Sequence, residues 1–400
     1  MKRAVFFLLS FFFSLFISQA SENEKNFIKG SLSEKIIILQ NLNESERFSV
    51  VKKALDFSIE HAAVLSEDED FTKLALAAVT VLSDKKDEIT KINLDEQMKI
   101  SEKLMALFRL FKNKELKKAV MEKLPLYSTE NSSLTVDFLN EYLLSSFKQG
   151  KNSSEVLESS IEALGKLGNE ESLSIIYNIW QSKIWPEYQK TTDAALVRLS
   201  QESFADVIKI FSISTIEDGA HYFTLLHKSS KVSQNSLCDI AENSLLIAIN
   251  NAEKLKAGSE TAERAFLGFQ IEAHEVLTNQ KWSHASSVIV KNILLAKKSY
   301  DAGILGESDF TKLIRSSVQI PSHELAQSLC DMLSECNGKV ESFAQGDSKM
   351  PAKSVVLALI FALGELGDKT AFDTLLYVTY ISYPLEVIDA AKASLAKLQW

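Results

Sequence analysis

The stretch ALGKLGNEESLSIIYNIW, residues 163–180, returns 199 positions later as ALGELGDKTAFDTLLYVTY, residues 362–380. Both copies write A-L-G-x-L-G followed by Asn or Asp, then run into apolar residues at steps of three and four. In the first copy Ile161, Ala163, Leu164 and Leu167 share one side of a helix that ends at Gly168-Asn169. Leu173, Ile176, Tyr177 and Trp180 then form one face of the next helix. In the second copy Ala362, Leu363, Gly364 and Leu366 precede Gly367-Asp368, and Phe372, Leu375, Leu376 and Thr379 supply the following face. Gly165 and Gly364 lie on the apolar side, where a missing Cβ lets helices approach closely.

Each copy then turns near a proline, Pro186 or Pro384, into a third helix. That helix carries Asp193-Ala194-Ala195 in one copy and Asp389-Ala390-Ala391 in the other. The repeated unit is a helical hairpin of about 35 to 45 residues, which cannot bury both faces alone and must stack on neighbours.

The rest of the chain reads the same way. Helical periodicity covers 44–63, 69–82, 94–112, 114–125, 133–148, 154–166, 170–182, 187–200 and 202–213. It resumes over 217–228, 234–256, 260–279, 284–298, 308–318, 322–335, 352–365, 369–381 and 385–398. Short polar connections separate these segments, and no long strict alternation marks a strand. With 46% hydrophobic residues and only 13 Gly and 5 Pro among 400, the chain can build a large core and lacks the breakers of a many-stranded fold. The expectation is an all-α protein, an α-solenoid of stacked antiparallel helix pairs.

These residues resemble the HEAT repeat, in particular the short bacterial form whose second helix reads approximately V-R-x-A-A-x-A-L-G-x-L-G-D. The resemblance covers residues 150–214 and 351–400, with degenerate helical repeats over 21–149 and 215–350. The family's Arg position reads Leu157, Thr192, Val356 and Ile388 here, so the resemblance does not carry an Asp–Arg ladder between repeats. It implies a protein that holds a partner protein and does no chemistry itself.

Residues 1–20 are read separately. Lys2 and Arg3 precede an uncharged apolar run from Ala4 to Ile17, and Ser18-Gln19-Ala20 supplies small residues before a cleavage point at Ser21. This is the pattern of a secretory signal peptide, giving a periplasmic or secreted protein with no membrane insertion after cleavage. The run is shorter than the roughly 20 residues a spanning helix needs. A net charge of −9, more acidic still without Lys2 and Arg3, argues against nucleic acid as a partner.

Chemistry-bearing motifs are sparse. No two of His61, His221, His227, His274, His284 and His323 have the i, i+4 spacing of a helical metal site, so no metal or cofactor is expected. No P-loop, H-E-x-x-H, C-x-x-C, G-x-S-x-G or G-x-G-x-x-G occurs. Glu-Ser pairs at 171, 202 and 307 invite comparison with peptidoglycan-cleaving enzymes, but they also read as helix starts, where a carboxylate suits the dipole. The acidic run Glu67-Asp68-Glu69-Asp70 lacks the Gly and distal Glu of a calcium loop and reads as a solvated helix start. Cys330 and Cys336 could pair only if Cys336 lay past the helix end, which the following Asn337-Gly338 suggests; otherwise they are free thiols, and no partner offers itself for Cys238.

The most distinctive local feature is Tyr177, Trp180, Trp185 and Tyr188. Tyr177 and Trp180 fall on the apolar stripe, whereas Trp185 and Tyr188 sit at the turn beside Pro186. Trp185 and Tyr188 are therefore the candidate protein-binding residues, expected to be at least partly exposed. The functional expectation is an exported, non-catalytic scaffold that binds another protein in the bacterial cell envelope. A self-associating structural subunit is the alternative, and a peptidoglycan-acting enzyme a remote one.

Overall fold

The computed structural model describes residues 22–128, 133–201, 203–255, 260–346 and 349–398. The signal-peptide reading of residues 1–20, its cleavage point at Ser21, and Glu202 lie outside these. Every regular element among the described residues is helical. In chain order they are α1 (Glu22–Lys29), α2 (Leu32–Gln40), α3 (Glu44–Leu65), α4 (Glu69–Thr80), the single turn α5 (Lys86–Ile89), α6 (Leu94–Leu110), α7 (Lys114–Tyr127), α8 (Ser133–Lys148), α9 (Glu155–Leu167), α10 (Glu170–Ser182) and α11 (Gln189–Ser200). There follow α12 (Phe204–Ile213), α13 (Ile216–Lys228), α14 (Gln234–Leu255), α15 (Glu260–Asn279), α16 (Ser286–Asp301), α17 (Glu307–Ser317), α18 (His323–Ala344), α19 (Lys353–Leu366), α20 (Phe372–Val378) and α21 (Leu385–Leu395).

The chain divides between Leu199 and Ser200 into two compact units. Within the first, α1, α3, α6, α8 and α10 pack side by side in one layer, and α2, α4, α7 and α9 continue into α11 in a second layer behind it. The second unit repeats the plan, with α12, α14, α16, α18 and α20 in one layer and α13, α15, α17, α19 and α21 in the other. Each unit is thus a stack of five helix pairs, the α-solenoid arrangement that the hairpin period predicts.

The quoted phrase owes its form to three physical tasks. A Cβ at Gly165 would lie 2.7 Å from the Cβ and 2.8 Å from the Cα of Ala195, and one at Gly364 would lie 2.7 Å from the Cβ and 3.0 Å from the Cα of Ser394. Both glycines therefore let one helix of the second layer touch the next. The second glycine ends the helix by different means in the two copies. Gly367 takes the left-handed conformation, φ 65°, whereas Gly168 is extended and so closely packed that a Cβ would meet Leu199 and Ser172. The Asn or Asp that follows caps the next helix: Asn169 accepts from the Ser172 amide, and Asp368 from that of Thr370.

Gly165 and Ala195 correspond to Gly364 and Ser394 at the same 199-residue offset. This corrects the sequence match of Asp193-Ala194-Ala195 with Asp389-Ala390-Ala391, which is displaced by three residues. A shift of nearly one turn returns side chains to almost the same helix face, so periodicity does not detect it. The positions where the family would place Arg are partly or wholly core: Leu157, Thr192 and Val356 are buried and Ile388 is half-buried.

Two further differences separate expectation from structure. Helices α1, α2 and α5 were not read from the pattern. Helix α18 does not stop at Asn337-Gly338 but runs to Ala344, with Asn337 buried, donating to the Thr374 carbonyl and accepting from the Tyr383 hydroxyl at 3.1 Å. Cys330 and Cys336 therefore share one helix as free thiols, as the geometry of six residues on a helix requires. Neighbouring pairs are tied by varied contacts, among them Lys118–Glu155 at 2.5 Å, Thr191–Glu158 at 2.9 Å and Lys397–Glu365 at 2.5 Å.

The glycines yield a contrast that calorimetry can read. Gly165→Ala is expected to cost about 1 to 3 kcal/mol, because the neighbouring backbone must give way. Gly338, in the interior of α18, has open space where its Cβ would be. Gly338→Ala is expected to stabilise by about 0.5 to 1 kcal/mol through helix propensity alone.

Candidate functional site

The aromatic group at residues 177–188 divides differently from the sequence expectation. Tyr177 and Trp180 are buried on α10, rings 5.6 Å apart, and the Trp180 Nε1–H donates to Asp193 at 2.9 Å. That is their predicted place. Trp185, predicted to be partly exposed, is only 4% exposed. Lys183 adopts a left-handed conformation, φ 52°, and turns the chain so that the Trp185 Nε1–H donates to the Lys151 carbonyl at 2.8 Å. The indole thereby fills the space beside the connection before α9 and satisfies a loop carbonyl. Tyr188, in the short turn Pro186–Tyr188, is half-buried.

The remaining chemistry-bearing residues are built into the structure. Asp68 caps α4, Glu67 pairs with Lys112 at 2.8 Å, and Lys73 reaches both Glu69 and Asp70, so the acidic run is a solvated helix start. Glu171 and Glu307 occupy first turns of α10 and α17. His274 is enclosed between α15, α16 and α17, accepting at Nδ1 from Asn292 at 3.1 Å and donating at Nε2 to Ser316 at 3.0 Å. Burial pushes its pKa down to about 4, so the ring is neutral near pH 7. Burial likewise raises the thiols of Cys238, Cys330 and Cys336 to about 11, far from the thiolate form a nucleophile needs. Among the described residues no three His, Cys, Asp or Glu side chains gather into a metal site.

A surface of a different character lies on the outer side of α15, α17, α19 and α21. The cations there are matched almost one for one with carboxylates. Glu275 of α15 takes Lys312 of α17, and Glu365 of α19 takes Lys397 in the turn after α21. Arg315 is the exception. Its guanidinium lies 5.7 Å from the ring centre of Phe361, and among the described residues it makes no ion pair. Phe361 is itself 42% exposed, with the Lys397 ammonium also 5.8 Å from its ring centre. On α15, Gly268 is exposed with open space where a Cβ would be. A glycine inside an exposed helix forfeits about 1 kcal/mol relative to Ala, a loss with no packing reason among the described residues.

Arg315 thus presents a planar cation, five N–H donors and a stacked ring with none of its donors spent on a carboxylate here. The pairing was not readable from sequence because 46 residues separate its partners; the only signal was that Arg is scarce, at six positions in 400.

The helix packing makes this chain an all-α protein of stacked helix pairs. No protein family matches the chain, and no curated protein matches it. A solved structure, described as a circular tandem repeat protein with novel repeat topology and enhanced subunit contact surfaces, is similar at 12% identity. The match covers 94% of this chain and 73% of that one with a TM-score of 0.15. The fold assignment stands on the packing itself. No helix among the described residues is long and apolar enough to cross a membrane.

The burial of Trp185 changes its expected behaviour. Trp185→Ala is expected to cost about 3 to 5 kcal/mol, like Trp180→Ala, since each removes a buried indole and leaves an acceptor without its donor. Urea unfolding of the two variants checks this; a Trp185→Ala protein within about 0.5 kcal/mol of the parent would return the residue to the surface.

Proposed function

We propose that this chain is a non-catalytic scaffold of the HEAT type that is exported and binds another protein. The observation that carries the reading is Arg315, stacked on a half-exposed Phe361 and lacking a carboxylate on a face whose other cations are paired. Arg and aromatic residues are the types that dominate protein interfaces, and a guanidinium already held against a ring loses little freedom when it takes a carboxylate. The partner is therefore a protein that brings an Asp, Glu or terminal carboxylate beside an apolar side chain. Gly268 supports the same face, because open space on a helix lets another backbone come close.

The HEAT reading is supported by two copies of one phrase performing the same tasks, close helix contact and helix capping, in equivalent places. Export is supported by the charged, apolar and small-residue segments of residues 1–20. Intact-mass measurement of exported protein is expected to give a chain beginning at Ser21; a mass retaining Lys2 through Ala20 would remove the periplasmic or secreted placement.

Binding is tested with a photo-reactive benzoylphenylalanine replacing Phe361 in the exported protein. The expected result is a discrete adduct with one other protein, weakened about tenfold or more by Arg315→Ala, which corresponds to the loss of a single charged contact. The same photo-reactive residue at Ser334, exposed on α18, is expected to give none. Equal adducts at both positions, or an adduct indifferent to Arg315, would overturn the proposal. An adduct with a second copy of this chain would favour the self-associating subunit instead.

A further inference from the structure

The first unit contains a cavity of about 420 Å³, within the range of about 300 to 1,000 Å³ typical of small-ligand sites. It lies among α3, the turn after α4, the segment around α5 and the end of α7. Its inner wall is apolar: Phe48 and Val51 come from α3, Leu82 from the turn, Ile92 from the segment after α5, and Tyr127 from the end of α7. The Tyr127 hydroxyl donates to the Ser83 carbonyl at 3.1 Å, so its one polar atom is satisfied and it offers the cavity only its ring. The turn is fixed from behind by Lys123, whose ammonium donates to the Leu82 carbonyl at 2.5 Å and to Asp84 at 2.6 Å. Hydrogen bonds within the protein hold these walls.

The rim is polar and its charges are unevenly spent. Glu88 receives Lys85 at 2.8 Å, Ser83 Oγ at 2.7 Å and Arg47 at 3.3 Å. Those donors, Lys85 and Ser83 foremost, hold its carboxyl below the usual range, and it has little capacity left. Glu44, the other rim carboxylate, also faces Lys85, at 3.5 Å. Arg47 gives Glu88 one hydrogen bond out of five N–H donors, and Lys91 makes no ion pair among the described residues. The donors left over at the mouth are cationic, above an apolar interior.

We propose that this cavity binds a carboxylate-headed amphiphile of the medium-chain fatty acid class, with its chain among Phe48, Val51, Leu82 and Tyr127 and its carboxylate on Arg47 and Lys91. The site is separate from the Arg315 surface and does not depend on the protein-binding reading. Calorimetric titration of the intact mature protein with hexanoate, octanoate and decanoate is expected to show one molecule per chain. Affinity should tighten about fourfold for each added methylene, as burial of CH₂ groups dictates. Arg47→Ala combined with Lys91→Glu should weaken decanoate about tenfold or more while leaving decanol unchanged, because only the acid uses the cations. Val51→Phe, which fills the cavity, should abolish binding of both. Lys91→Glu alone, at an exposed residue that folding does not need, should weaken decanoate relative to decanol. The proposal is overturned if wild-type protein shows no saturable binding, if several molecules bind per chain, or if decanoate and decanol respond alike to the Lys91 change.

Discussion

A helix inside a stack of pairs has neighbours on three sides: its hairpin partner, the preceding helix of its own layer and the following one. Most of its surface must then be apolar or small, and only a narrow outer strip is free to vary. The closest helix contacts described here, Gly165 on Ala195 and Gly364 on Ser394, show how tight the constraint becomes. At each, one helix gives up a side chain altogether so that backbones can meet. Ser394 adds a second tie, its hydroxyl donating to the Ile360 carbonyl of α19 at 2.9 Å. Some polar residues admitted to the core are likewise bonded between helices, as His274 is to Asn292 and Ser316, while others, such as Ser58 and Ser160, donate to the carbonyl four residues earlier in their own helix.

That constraint explains why so much of the fold was legible. Three-sided burial writes a broad apolar stripe into each helix, and short connections bring polar caps and glycines at regular intervals, so nearly all of α3 to α21 could be placed from spacing alone. The failures have local causes. Among the described residues, helices α1 and α2 have a neighbouring pair on one side only, and Ile28 and Ile37 are exposed, which blurs the stripe. In α18, Asn337-Gly338 has the composition of a helix end, but Asn337 satisfies its amide on Thr374 and Tyr383 of the next pair, and the helix continues. Trp185 was placed at the surface because it follows a turn; the left-handed Lys183 and the Lys151 carbonyl that together bury it lie outside any periodic pattern.

The candidate sites were less legible for the same physical reason. A surface acquires its character from helices one pair apart, so Arg315 and Phe361, or Arg47 and Tyr127, become neighbours only through stacking. Sequence shows that Arg is rare in an acidic chain; it does not show which Arg is left unpaired. Conversely, Trp180 and Trp185, which stood out most in sequence, are buried and hydrogen-bonded inside the stack.

The layered stack has a kinetic corollary. The side-chain hydrogen bonds described here that tie one pair to the next bridge at most 48 positions, the longest being Thr224 to Glu272. No strand must find a partner at the far end of the chain, and the loop entropy lost at each step is that of a short segment. Such local topology folds quickly, can begin at any well-packed pair and spreads outward from it. Damage is correspondingly confined: a disrupted pair weakens its two neighbours first, and the rest of that unit keeps its own contacts.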